Sequence, residues 1–256
     1  MIQAHRLLMK QEWRLNKWGW SSLLMLSLSA GFLLTFYWLT QKALHFENSK
    51  LENGLSYFQF VFLGEVFLMF PFSIVLGSSR VLRQMKDQGV FDLIFSSYRV
   101  FIPALFCQTL VWALLESVKV LLLILLVSLF GVPWAVIGQT LALLSLSIFL
   151  IPASFGFGLI SCALVLKLGR GDNLLPPIVL FTGLVSGAYF PTTVFPPAVR
   201  EITQAFFPFA LFLEGIRSFI TGGNSPTFSQ VLYFSLSSVI WLLVGMGWVR
   251  WNSSKA

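Results

Sequence analysis

The chain has 256 residues, of which 57% are hydrophobic and 11% charged, with a mean hydropathy of +0.82 and a net charge of +7. Soluble domains carry about 25% charged residues, so an ordinary water-soluble globule is excluded. Runs of roughly 20 apolar residues recur, the length a helix needs to cross a hydrocarbon core about 30 Å thick. They are apolar all round, which excludes a membrane barrel with alternating faces.

The two cysteines, Cys107 and Cys162, lie inside apolar runs, which argues against a disulfide framework and a thiolate metal site. Both histidines, His5 and His45, fall outside the spans, so no histidine proton relay is expected in the membrane. The positive charge reads as attraction of loops to anionic lipid rather than to nucleic acid. The basic start is followed by an apolar run too long for a cleavable signal peptide and without a small-residue cleavage site.

Residues 1–17 place Arg6, Lys10, Arg14 and Lys17 on one helical stripe and Ala4, Leu7, Leu8, Leu15 and Trp18 on another. That pattern predicts a helix lying in the headgroup plane. A solvated basic tail is the alternative, and Trp13, Trp18 and Trp20 weigh against it because indoles collect at membrane interfaces. Spans are expected at about 18–39, 57–77, 103–130, 135–166, 174–190 and 228–249. Pro152 is expected to kink the fourth, since proline removes a backbone hydrogen bond and clashes with the preceding turn.

With the N-terminus inside the cell, twelve Lys and Arg residues lie on the cytoplasmic side. Lys42, Lys50, Arg200 and Arg217 lie outside, and Lys119 lies in a span. That imbalance predicts both termini inside and an even number of spans. The expected fold is an all-α polytopic membrane protein: six transmembrane helices, an N-terminal interfacial helix, and a re-entrant helical hairpin before the last span.

Two segments between the spans stand out. The first, 78–100, is charged and amphipathic. Val81, Leu82 and Met85 share one helical face while Arg80, Arg83, Lys86 and Asp87 project elsewhere, Gly89 can end the helix in a left-handed conformation, and Phe91 and Asp92 precede a further apolar insertion. A basic loop that only fixes topology is the alternative.

The second segment, 191–227, follows Gly187 and carries Pro191, Pro196, Pro208, Glu214 and Arg217 among apolar pieces too short to cross. These suit a hairpin that enters the outer leaflet and returns, where protein or water satisfies its backbone. An ordinary extracellular loop is the alternative.

Three ionisable residues fall within spans. Glu65 either lines a translocation path or packs as a hydrogen-bonded residue, because a bare carboxylate there costs about 2.5–3.5 kcal/mol on insertion scales. Glu116 and Lys119 are three residues apart and can pair with each other or line the path. Gly183 and Gly187 form a small-xxx-small face suited to close helix packing.

Lys86-Asp87-Gln88-Gly89-Val90-Phe91-Asp92-Leu93-Ile94 resembles the loop after the second span of type-2 ABC exporter membrane subunits. Ser186-Gly187-Ala188-Tyr189-Phe190-Pro191, Phe195-Pro196, Phe207-Pro208 and Arg217 resemble that family's stretch after the fifth span. The likeness covers almost the whole chain in order and spacing. It departs in Met85-Lys86-Asp87, where a Glu is usual, and in Gly-Val-Phe-Asp for Gly-Thr-Leu-Glu.

The resemblance implies a permease subunit of an ATP-driven exporter in a bacterial inner membrane. It would dock two cytoplasmic ATPase subunits through Arg80, Arg83, Lys86, Asp87, Gly89, Phe91 and Asp92, and pair with a second copy or a paralogue. The implied substrate is amphiphilic: a lipid, a lipid-linked glycan or a hydrophobic drug-like molecule. ATP and magnesium would sit on the partner, since the chain has no G-x-x-x-x-G-K-[ST] loop. No catalytic residue and no bound cofactor are expected. The rival readings are an ion-gradient-driven secondary transporter, which would show inverted repeats and midplane ionisable groups, and a non-transporting membrane scaffold.

Overall fold

A computed structural model describes residues 31, 35, 57–91, 98–129, 138, 147–168, 175–220 and 228–253. The expected interfacial helix at 1–17 lies outside the described residues, as does nearly all of the span at 18–39. Gly31 and Thr35 are helical there, and the Thr35 hydroxyl donates to the Gly31 carbonyl at 2.7 Å.

Seven α-helices organise the described residues: α1 Tyr57–Asp87, α2 Tyr98–Leu129, α3 Ile151–Leu168, α4 Leu175–Val185, α5 Pro197–Phe206, α6 Pro208–Ile220 and α7 Phe228–Ser253. Short 3-10 turns at Ser147–Leu150 and Thr192–Val194 precede α3 and α5. No strand occurs among the described residues. Among the described residues, four helical stretches are long and apolar enough to cross a membrane: Tyr57–Asp87, Val100–Leu125, Ser147–Lys167 and Leu232–Trp251. The chain is a multi-pass membrane protein.

α1 is the central element. It packs against α2 and α3, and α3 packs against α7. Most of α1 and α3 is buried, whereas α2 and α7 expose most of their apolar surface. Two core clusters lie at different levels. One joins Ile74, Leu82 and Met85 of α1 to Phe101 and Leu105 of α2, Leu159 and Cys162 of α3, Leu175 of α4 and Val249 of α7. The other joins Leu63, Phe67 and Leu68 of α1 to Leu150, Ala188, and Phe209, Phe212 and Leu213 of α6. These clusters fix the directions: α1, α3 and α7 run from the second to the first, while α2 and α4 run against them.

The α3–α7 crossing is built on glycine. A β-carbon at Gly156 would strike the Trp241 carbonyl, and one at Gly245 would strike the Gly156 carbonyl. Backbone therefore meets backbone, the close approach that small residues permit between membrane helices.

The structure redraws three expected elements. The span at 57–77 and the charged segment after it form one unbroken helix of 31 residues, about 46 Å long at 1.5 Å per residue. Pro152 marks the change from 3-10 to α-helix, and residues 135–146 before it, Gly138 apart, lie outside the described residues. The proline stands in the first turn of α3, directly after the 3-10 turn, where its missing N–H costs nothing. α4, expected to span as 174–190, has 11 residues and is about 17 Å long, shorter than the hydrocarbon core.

Candidate functional site

The two segments singled out by sequence sit at opposite ends of α1. At its C-terminal end Val81, Leu82 and Met85 are buried, while Arg80, Arg83, Lys86 and Asp87 are exposed. The helix stops because Gly89 adopts φ +68°. Its amide donates to the Lys86 carbonyl and the Val90 amide to the Met85 carbonyl, both at 3.0 Å, the Schellman pairing that satisfies terminal carbonyls. Phe91 then turns back onto the core, edge-on to Phe101 at 6.2 Å. The Lys86 ammonium stands 5.3 Å over the Phe91 ring, and the Arg80 guanidinium 5.7 Å over Trp112. This end is thus a charged, solvent-facing surface on a rigidly packed base. Asp92 lies outside the described residues.

At the other end, α4 closes with a second Schellman pairing. Gly187, at φ +79°, donates to Leu184 and Ala188 donates to Gly183, both at 3.3 Å. Gly187 therefore terminates the helix, and of the expected small-residue face only Gly183 lies against α1, beside Leu68 and Phe72. Pro191 precedes the 3-10 turn, and Pro196 and Pro197 start α5, where a proline's fixed φ is preorganised. Phe207 is extended, which separates α5 from α6, and Pro208 opens α6.

Arg217 of α6 is the anchor of this end. It is 3% exposed. Its Nη1 donates to the Gly187 carbonyl at 2.7 Å, and its Nη2 to those of Phe60 and Ala188 at 2.8 and 3.1 Å. The guanidinium also lies 3.5 Å from the centroid of the Phe60 ring. A buried cation is tolerated only when paired and hydrogen-bonded, and three carbonyls with an aromatic face supply that here. Gly64 makes room for it: a β-carbon there would meet the Ala188 carbonyl and, at 2.7 Å, Arg217 Nη2.

Glu214, one turn away on α6, collects donors from three places. Thr192 Oγ1 donates at 3.3 Å, Gln204 Nε2 at 2.9 Å and Arg200 Nη2 at 3.4 Å. Beside this hub the Tyr189 hydroxyl donates to the Glu65 carboxylate, and the Tyr57 hydroxyl to the Tyr189 carbonyl at 3.2 Å. Glu65 of α1 is thereby tied to the chain that follows α4. Glu116 and Lys119 lie apart from both ends, paired with each other at 2.7 Å and about a quarter exposed. Among the described residues no three His, Cys, Asp or Glu side chains come together as a metal site would require.

Sequence reasoning missed Tyr57, Gly64 and Tyr189 as partners of this cluster. It also missed Pro71, which stands inside α1 between the two ends and cannot donate to the Phe67 carbonyl. The signal for Gly64 and Glu65 was their adjacency: a small residue next to a carboxylate in an apolar run marks close backbone approach beside a polar contact. No family model matches the chain, and a search of curated proteins also returns no match.

Proposed function

We propose that the chain is the permease subunit of an ATP-driven exporter, moving an amphiphilic molecule out of the cytoplasm under the action of a separate ATPase. The observation that carries this reading is α1. One helix presents the exposed Arg80, Arg83, Lys86 and Asp87 at one end and is bonded through Phe60 and Glu65 to the polar cluster at the other. Phe60 and Lys86 lie about 39 Å apart along the helix axis, so a displacement imposed on one end reaches the other through one continuous helix.

In this reading the membrane is crossed six times, by 18–39, α1, α2, α3, α4 with its flanking residues, and α7. The alternating directions of α1 to α4 and of α7 fit that count. α5 and α6 form a hairpin in the outer leaflet. Its buried cation and its break at Phe207 are both satisfied by protein, as backbone at membrane depth requires. The membrane is the inner membrane of a bacterium, both termini are cytoplasmic, and two permeases meet two ATPase subunits. ATP binding closes the ATPase pair and biases a two-state arrangement of the helices. This chain performs no hydrolysis itself. Glu65, Glu116, Lys119 and Arg217 each have a fixed partner within the protein, which favours this reading over an ion-gradient-driven transporter.

The test is to replace Gly89 and Asp92 singly with alanine and follow both ATPase association and substrate export. The expected result is weakened association and lost export with normal membrane insertion. Wild-type export with an intact complex in both variants would refute the coupling role.

A further inference from the structure

α5 is an amphipathic helix turned inside out. Three of its polar side chains turn toward protein, Thr203 being buried and Arg200 and Gln204 donating to Glu214, while Glu201 is exposed on a different face from the apolar residues. Its apolar residues Val199, Ile202 and Phe206, spaced to share one helical face, are 42%, 57% and 60% exposed. Water on that face would invert the usual order of burial; hydrocarbon would not.

Phe206 continues this face into a groove of about 280 Å³, whose other wall is α7 with Tyr233, Leu236, Ser237, Ile240, Trp241 and Val244. The lining carries no charge and only two hydroxyls. The Trp241 indole N–H is already bonded, donating to the Phe206 carbonyl at 2.8 Å, so the wall demands no polar occupant. The α7 residues recur every three or four positions, so the groove follows the helix axis for about 16 Å. That helix is long and apolar enough to span the bilayer.

We infer that the groove between α5 and α7 seats one acyl chain of a membrane phospholipid. The site is narrow, uncharged and elongated along a spanning helix, as a lipid chain is. It is continuous with an α5 face that only an apolar medium can cover. A second protein copy would bury about 800 Å² per partner in a stable dimer and so cover the exposed α7 face as a whole, whereas a single acyl chain fills this slot alone. The inference stands on α5 and α7 and does not depend on an ATPase partner.

Full-length protein in vesicles of phosphatidylcholine, brominated at successive depths along one chain, tests it by tryptophan quenching. The Trp241 signal is wild type minus Trp241→Phe. Trp248, half exposed on the same helix, gives the reference for lipid-facing surface through Trp248→Phe. Trp241 is expected to be quenched at least half as strongly as Trp248 at its best-matching depth. Weaker quenching at every depth would overturn the proposal. So would quenching seen only after dilution dissociates a dimer, which would assign the groove to a second copy. Because Trp241→Phe removes the bond to Phe206, Leu236→Trp in that background supplies a second reporter, expected to show the same strong quenching and, if shielded, equally contrary.

Discussion

Arg217 concentrates the chemistry of the α6 end in one side chain. Three carbonyls from two segments converge on its guanidinium, and each loses its only donor from this group if the side chain is cut back. Arg217→Ala is expected to destabilise the fold by about 2–4 kcal/mol, since buried unsatisfied acceptors cost about 1–3 kcal/mol each and neighbours relax only in part. Arg217→Lys keeps the charge but loses the planar fork, and is expected to recover less than half of that. Thermal unfolding in detergent micelles checks both; an alanine variant as stable as wild type would remove Arg217 from its anchoring role. Tyr189→Phe deletes the donor to Glu65 and is expected to cost about 1–2 kcal/mol by the same measurement. Gly89 tests the other end. An alanine there meets no atom within 4 Å but inherits φ +68°, a backbone penalty of about 1 kcal/mol, so its effect should fall on the helix terminus and not on packing.

Among the elements, the glycine crossing of α3 and α7 is the most exposed to test. Neither Gly156 nor Gly245 can accept a β-carbon without moving backbone. Gly245→Leu should force the helices apart and cost about 1–3 kcal/mol, the range for overpacking, with Gly245→Ala intermediate; equal melting temperatures for all three proteins would contradict the contact.

The elements also show how much was legible in the sequence. Length and hydropathy located α1, α2, α3 and α7, because an apolar stretch long enough to span is a signal carried by composition alone. The buried face of Val81, Leu82 and Met85 followed from helical period, and the stop at Gly89 from its conformational freedom. The continuity of α1 through Asp87 was missed, because charge suggests a boundary while backbone hydrogen bonding does not. The bond between Glu65 and Tyr189 was illegible for a different reason: 124 positions separate them, and no local pattern encodes a long-range contact. The short α4 was overestimated because apolar residues continue past the Gly187 stop.

For the whole molecule, the decisive relation is between the two ends of α1. If the charged end faces the cytoplasm, a cysteine placed at Arg83, in a background lacking the exposed Cys107, is expected to resist a membrane-impermeant maleimide in intact cells and react once the membrane is opened. A cysteine at Glu201, exposed on α5, is expected to react in intact cells.

The measurement that bears most directly on the coupling role is site-specific crosslinking from that end. A photoreactive residue at Arg83, in the full chain co-expressed with the ATPases of its own cell, is expected to capture one P-loop ATPase, with a yield that changes between the ATP-bound and nucleotide-free states. A transport-competent protein whose position 83 captures only lipid, whatever the nucleotide, would contradict it.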